Sequence, residues 1–146
     1  MPESPPPVLL DTNVFVAAIK TPRRPTKSLR LLLRFVEEDV RLVGNDLLAT
    51  EYLRDAQLFP SAMASSLAAA VLDRMDLIAV EDRFIRACSA YFRSTQLADL
   101  VNAATCLQTG AILVSNDRDF DSIHQAGLIQ RLTLSQAIRR WAPSNV

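Results

Sequence analysis

A few carboxylates in this chain stand where an apolar run stops, and they open the chemical reading. Val8-Leu9-Leu10 runs straight into Asp11-Thr12-Asn13. Ala111-Ile112-Leu113-Val114 runs into Ser115-Asn116-Asp117-Arg118-Asp119-Phe120. An Asp that ends a buried strand stands at the mouth of a sheet, and two on one rim are what a hard divalent cation needs. A single Asp after a strand is ordinarily a helix cap or a turn residue. Two such sites with extra polar neighbours weaken that reading. Glu51 lies one or two turns into a helix that Asn45 or Asp46 can cap. It either leans over the same rim or is a solvated helix residue. Asp99 falls in or near the first turn of another helix, where the helix dipole favours acids by about 0.3–1 kcal/mol. That helix feeds the fourth strand, which places its start near the opposite, amino-end rim unless the helix is offset or the preceding chain returns over the top.

The elements that must position these acids alternate. Short apolar runs read as buried strands at Val8–Leu10, Val40–Val43, Leu77–Val80 and Ala111–Val114, with a weaker fifth at Leu128–Leu132. Between them lie helical spacings: Leu29, Leu32, Leu33 and Val36; Leu67, Val71, Leu72 and Met75; Leu97, Leu100, Val101, Ala104 and Leu107. A last helix runs from about Thr133, a plausible N-cap, to Trp141, before Pro143. Strands alternating with helices imply βαβ crossovers. Fully apolar strands imply helices on both faces. The expectation is a three-layer α/β/α sandwich around a mostly parallel five-stranded sheet, with any ligand at the carboxyl ends of the strands near the point where strand order reverses. Residues 1–7 read as a loose Pro-rich tail, and residues 8–146 as a single domain.

Composition narrows the chemistry further. The 146 residues suit one domain, and 49% hydrophobic residues suit a full core. Three glycines disfavour a Gly-rich phosphate loop. Lys+Arg and Asp+Glu are both 16, so phosphate must be met by local patches or by bound metal. Of the cations, 14 are Arg, which suits bidentate phosphate contacts but also follows from a GC-rich genome. One histidine, His124, cannot build a His-rich zinc site. Cys88 and Cys106 form no CxxC pair and read as small buried hydrophobes in a reduced, cytoplasmic setting. The start, MPESPPPVLL, does not read as a secretory signal, and no apolar run reaches a membrane span.

Taken in order, Asp11-Thr12-Asn13, Glu51, Asp99 and the stretch from Ser115 to Phe120 resemble the PIN domain, the nuclease fold of the VapC-type toxins. The segment from Leu97-Ala98-Asp99-Leu100 through Gly110 to Phe120 is the most specific part, and the resemblance covers about residues 8–140. It implies a five-stranded parallel sheet and an acidic pocket in which Asp11, Glu51, Asp99 and Asp117 gather around Mg²⁺ or Mn²⁺. In the family the start of the Asp99 helix reaches the pocket. Asp119 matches a second acid with a less direct contact, and Thr12, Ser115 and Asn116 match polar positions that hold ligands or metal-bound water. Asp11, Asp99 and Asp117 would be the first metal ligands, with Glu51 on a second ion or on the attacking water. RNA is the implied substrate, with 5′-phosphate and 3′-hydroxyl products. Many VapC-like members are dimers that work beside a small antitoxin.

The physics of such a pocket is independent of the family. Two carboxylates about 5 Å apart repel by about 3 kcal/mol at an effective dielectric of about 20. A cluster of four is unfavourable until protons or a divalent ion relieve it, and no His, Lys or Cys nucleophile is required. The basic loop Thr21-Pro22-Arg23-Arg24-Pro25-Thr26-Lys27 offers Arg23, Arg24 and Lys27 as phosphate contacts, or is a solvated loop. Arg118 either binds phosphate or pairs with a neighbouring Asp. With 6% aromatics, a broad base-stacking sheet is not expected. A haloacid-dehalogenase-type phosphatase would need DxD at Asp11 and a later Lys, and a receiver domain would also need that Lys. None follows Lys27. Beside these two alternatives stands one from a different class, a PIN-like scaffold that binds RNA or protein without cutting.

Overall fold

A computed structural model describes residues 4–20, 26–59 and 61–143. Five parallel strands form one sheet: β1 (Val8–Leu10), β2 (Leu42–Gly44), β3 (Met75–Leu77), β4 (Ile112–Val114) and β5 (Gln130–Leu132), in the order β3-β2-β1-β4-β5. Eight α-helices are present among the described residues: α1 (Thr12–Ile19), α2 (Lys27–Glu37), α3 (Asp46–Leu58), α4 (Ala62–Arg74), α5 (Asp82–Cys88), α6 (Leu97–Thr109), α7 (Asp121–Gln125) and α8 (Leu134–Trp141). Single 3-10 turns occupy Ser89–Tyr91 and Arg118–Phe120.

The strand order explains the layers. From β1 the chain steps outward to β2 and β3, then jumps back past β1 to β4 and β5. Right-handed crossovers put the connecting helices on opposite faces when the direction of travel reverses. Accordingly α1, α2, α3 and α4 pack on one another, with α8 against α2, while α5 and α6 pair separately. The three-layer expectation holds. The central strands β1, β2 and β4 are buried throughout, as a sheet covered on both faces requires.

The second and fifth strands begin two residues later than the sequence reading placed them, at Leu42 and Gln130, and two further details differ. The third strand is Met75–Leu77, and the apolar run Leu77–Val80 lies at and beyond its end. This is an edge strand that follows α4 directly, its register set by pairing Leu42 with Met75 and Gly44 with Leu77. Met75 packs onto Gly44, where a Cβ would collide with its sulfur, and Leu77 is 54% exposed. The inward face of α6 also differs. Its buried residues are Asn102, Ala103, Ala104, Thr105 and Cys106, whereas Leu97 is 56% exposed. Polar side chains face inward because they have a partner there: Asn45 donates through Nδ2 to Asn102 Oδ1 and to Thr105 Oγ1, both at 3.0 Å. A buried polar face is stable when it is hydrogen-bonded.

Candidate metal centre

All five strands point to one rim, and the reversal of strand order lies between β1 and β4. Leu10 is paired with Val114, so Asp11 and Ser115 leave the sheet side by side. The Asp11 amide still donates to the Val114 carbonyl at 3.0 Å, and the Ser115 amide to Leu132. Past these last bonds the backbone is free to turn, and the side chains of Asp11 and Ser115 meet: Ser115 Oγ donates to Asp11 Oδ2 at 2.7 Å. The same hydroxyl accepts from Asn13 Nδ2 at 3.1 Å and from the Asp117 amide at 3.0 Å. One donor and both acceptor positions of a hydroxyl are thereby engaged. Ser115 holds Asp11 and Asp117 in place and has no bonding capacity left for a ligand or a water.

Asp117 in turn caps its own 3-10 turn, accepting from the Asp119 amide at 2.9 Å. This brings the carboxylate of Asp119 back beside that of Asp117, where Asp99 joins them. One carboxylate oxygen from each of Asp99, Asp117 and Asp119 lies within 4.8 Å of the other two. Asp99 reaches this rim because a helix that feeds a parallel strand runs antiparallel to it. The first turn of α6 therefore sits at the carboxyl ends of the strands, where the family resemblance puts it, and needs neither the offset nor the returning chain that the strand-order reading required. Asp99 also shares the inward-facing side of α6 with Asn102, one turn further on.

Glu51 arrives by a different route. Asn45 caps α3, its Oδ1 accepting from the Leu48 amide at 2.9 Å. The same Asn45 amide grips α6, so one residue ties together the helices that carry Glu51 and Asp99. Tyr52, fully buried, donates to the carbonyl of Leu10 at 2.8 Å and packs against Phe15 with ring centroids 5.2 Å apart. Leu10 precedes Asp11, so Tyr52 fastens α3 to the end of β1. Thr12 Oγ1 donates to Glu51 Oε2 at 3.4 Å. Tyr52, Asn102 and Thr105 are positioning residues that sequence reasoning missed. An aromatic or amide on a helix carries no local sign of a partner 42 or 57 residues away.

The acids feel one another. Asp99 is pushed up to about 7, first by burial and then by repulsion from Asp117, Asp11, Asp119 and Glu51. Burial raises Asp11 above the ordinary carboxylate range and Asp117 adds to it, against the opposing bond from Ser115. Burial and the charge of Asp11 raise Glu51, against the bond from Thr12. No cation lies within ion-pair distance of these five acids among the described residues.

Not every expected residue comes to the cluster. Asn116 is exposed, and its Oδ1 accepts from the Leu134 amide at 2.8 Å, anchoring the start of α8. Lys27 is exposed at the first position of α2 and has no bond to the acids. Arg23 and Arg24 lie outside the described residues. Arg118 is exposed and makes no ion pair among the described residues; Asp121 is paired instead by Arg131, which also donates to the Asp117 carbonyl at 2.8 Å.

The donor set suits a hard divalent cation. It offers carboxylate, hydroxyl and amide oxygens only, the ligands of Mg²⁺ and Mn²⁺ rather than of zinc or copper. Burial keeps the nearby Cys106 thiol protonated, its pKa raised far above the usual thiol range. Asn13 adds a specific sign. Its amide nitrogen is bonded to Asp11 and Ser115, while its Oδ1 is buried without a protein partner. A carbonyl oxygen stranded among carboxylates is costly in a dry site and is satisfied by a cation or its hydration shell. A family model of the PIN domain matches residues 8–125. No curated protein sequence matches the chain. Within the matched span Asp11 and Asp117 follow strands β1 and β4, Glu51 lies in the second turn of α3 and Asp99 in the first turn of α6, and the chain belongs to the PIN domain family, whose members are generally metal-dependent nucleases.

Proposed function

We propose that this protein is a Mg²⁺- or Mn²⁺-dependent endoribonuclease. The observation that carries the reading is the convergence of Asp99, Asp117 and Asp119 within 4.8 Å of one another, with the charges of Asp11 and Glu51 felt at the same point. Asp11, Asp99, Asp117 and Asp119 would hold the cation. A bound divalent ion lowers the pKa of a coordinated water and neutralises charge on a phosphate oxygen. Glu51, held by Thr12 and free on its other oxygen, orients the attacking water or takes its proton. The water oxygen bonds to phosphorus as the bond from phosphorus to the ribose 3′ oxygen breaks, and that oxygen takes up a proton from solvent. The products are a 5′-phosphate and a 3′-hydroxyl. Ser115 and Asn13 keep Asp11 aimed while the charge around it changes.

The finer assignment in this proposal is the toxin of a VapBC-type pair: a homodimer acting on RNA in the cytoplasm and inhibited by a small antitoxin protein. What supports it is the resemblance of the four-acid pattern, together with two free, buried cysteines and no helix among the described residues long and apolar enough to cross a membrane. Incubation with structured and single-stranded RNA in Mn²⁺, Mg²⁺ or EDTA tests the activity. Wild type should cut only with metal, and Asp11→Asn should not cut. Equal cutting by both proteins would point to a contaminant and remove the proposal. Metal-stabilised protein that binds RNA without cutting would favour the scaffold reading instead.

A further inference from the structure

Beside the acid cluster lies a second concavity, a cavity of about 470 Å³ between the segment preceding α6 and the turn leading into α7. Asp119 lines it and also belongs to the acid trio, so the two sites share a wall. The volume falls in the range of about 300–1,000 Å³ typical of small-ligand sites.

The walls are built in advance. Arg93 donates its amide to Gln96 Oε1 at 2.8 Å, and Gln96 returns its own amide to the Arg93 carbonyl at 2.9 Å. This reciprocal clasp stands immediately before α6, whose first turn carries Asp99. Phe92 meets the fully buried Phe120 edge-on, with centroids 5.8 Å apart, and locks one wall to the other. The charge of the cavity is anionophilic despite its neighbours. Arg93 and Arg118 both line it, both are exposed, and neither makes an ion pair among the described residues. Asp121 is neutralised by Arg131, and Asp119 faces the cation site. Tyr91, partly buried against the core, is an aromatic residue of the lining.

We propose that this cavity holds the nucleotide adjoining the cleaved phosphodiester, its phosphate on the guanidinium groups of Arg93 and Arg118 and its base against Tyr91. The inference rests on the nuclease reading for the position of the cleaved bond. Guanidinium forks suit phosphate oxygens, and base stacking on one aromatic ring is tolerant of sequence. Phosphate contacts of this kind set the register of the strand relative to the acids.

The test uses the full chain and a fluorescent single-stranded oligoribonucleotide. Binding is read by anisotropy in EDTA across a salt series, and cleavage by KM and kcat in Mn²⁺. Arg93→Ala with Arg118→Ala should weaken binding at least about tenfold and flatten the plot of log K against log salt by about 0.7, the slope carried by one neutralised phosphate. The same pair should raise KM with kcat nearly unchanged, and the double Lys variant should recover most of the binding. Arg139→Ala with Arg140→Ala removes two charges from the far end of α8 and should change none of these values. Circular dichroism melts confirm that each variant is folded. Equal weakening by both Ala pairs would reduce the effect to net charge, and unchanged binding and KM in the Arg93/Arg118 pair would leave the cavity without a ligand; either result overturns the inference. A wild type that binds RNA but never cuts it would remove the nuclease reading, while the anisotropy arm still decides whether the cavity holds the strand.

Discussion

The two rims of one sheet treat their charges in opposite ways. At the amino-end rim Arg41 meets Asp76 at 2.9 Å, Arg34 meets Glu38 at 3.0 Å, and Arg74 donates to the carbonyls of Glu38 and Val40. The cavity there, about 820 Å³, is lined by cations and acids together. At the carboxyl-end rim five acids gather with no cation in ion-pair reach among the described residues, and three of them, Asp11, Glu51 and Asp99, are at least partly buried and raised in pKa. The same fold could have matched these charges and did not. Local choices that conflict with stability are expected where function requires them, and elsewhere the sequence agrees with itself. The conflict here is held in place by buried polar bonds rather than by opposite charge.

The comparison breaks most severely if the acids themselves are removed. Asp117→Asn should lower metal-dependent RNA cleavage by at least about a hundredfold, since loss of a ligand exceeds the 10–100-fold cost of losing its support. A gel-based cleavage assay with and without EDTA reads this. Next in size is the brace. Ser115→Ala keeps every carboxylate but frees Asp11, and should weaken Mn²⁺ affinity by about 10–100-fold, measured by calorimetry. Unchanged affinity would show that the backbone alone aims Asp11.

Smaller effects sharpen the contrast through stability. Asn45→Ala leaves Asn102 without its buried donor and uncaps α3, at a cost of about 1–3 kcal/mol in urea unfolding. A loss well below that range would mean that α3 and α6 are held by packing alone. Asp99 gives the pH dependence. Its folded-state pKa lies above the unfolded value, so the protonated folded form is favoured. Its stabilising contribution is complete below the ordinary value of 3.8 and is lost as pH rises through about 7. The melting midpoint of EDTA-treated protein should fall across that window, Asp99→Asn should flatten the fall, and Mn²⁺ should restore the midpoint of wild type alone. A wild-type midpoint that rises across the window in EDTA would contradict the repulsion among the acids. Least of all, Arg41→Ala on the opposite rim should change stability by under about 1 kcal/mol, as an exposed pair does.

Much of this was legible in the residues because it was local. Apolar runs that stop at Asp11 and Ser115 announce strand ends, and Thr133 announces a helix start, which the structure shows as a reciprocal cap with Gln136. Period and capping depend on neighbours within about four residues, which any single chain displays. The acid pattern followed from those ends and from the family resemblance. Tertiary structure decided the rest. The apolar stripe read along α6 is only part of its inward face: Ala104 is buried and Leu100 and Leu107 pack against the core, but Leu97 is exposed, and Asn102 and Thr105 turn inward because they find Asn45 across the fold. Asp119 joins the trio through a turn that Asp117 closes, and Asp121 is drawn away by Arg131. Whether a polar side chain faces inward depends on a partner brought close by folding, since burial is affordable only once the bond is made. No spacing within the chain encodes that partner, and here it decided which carboxylates share one point in space.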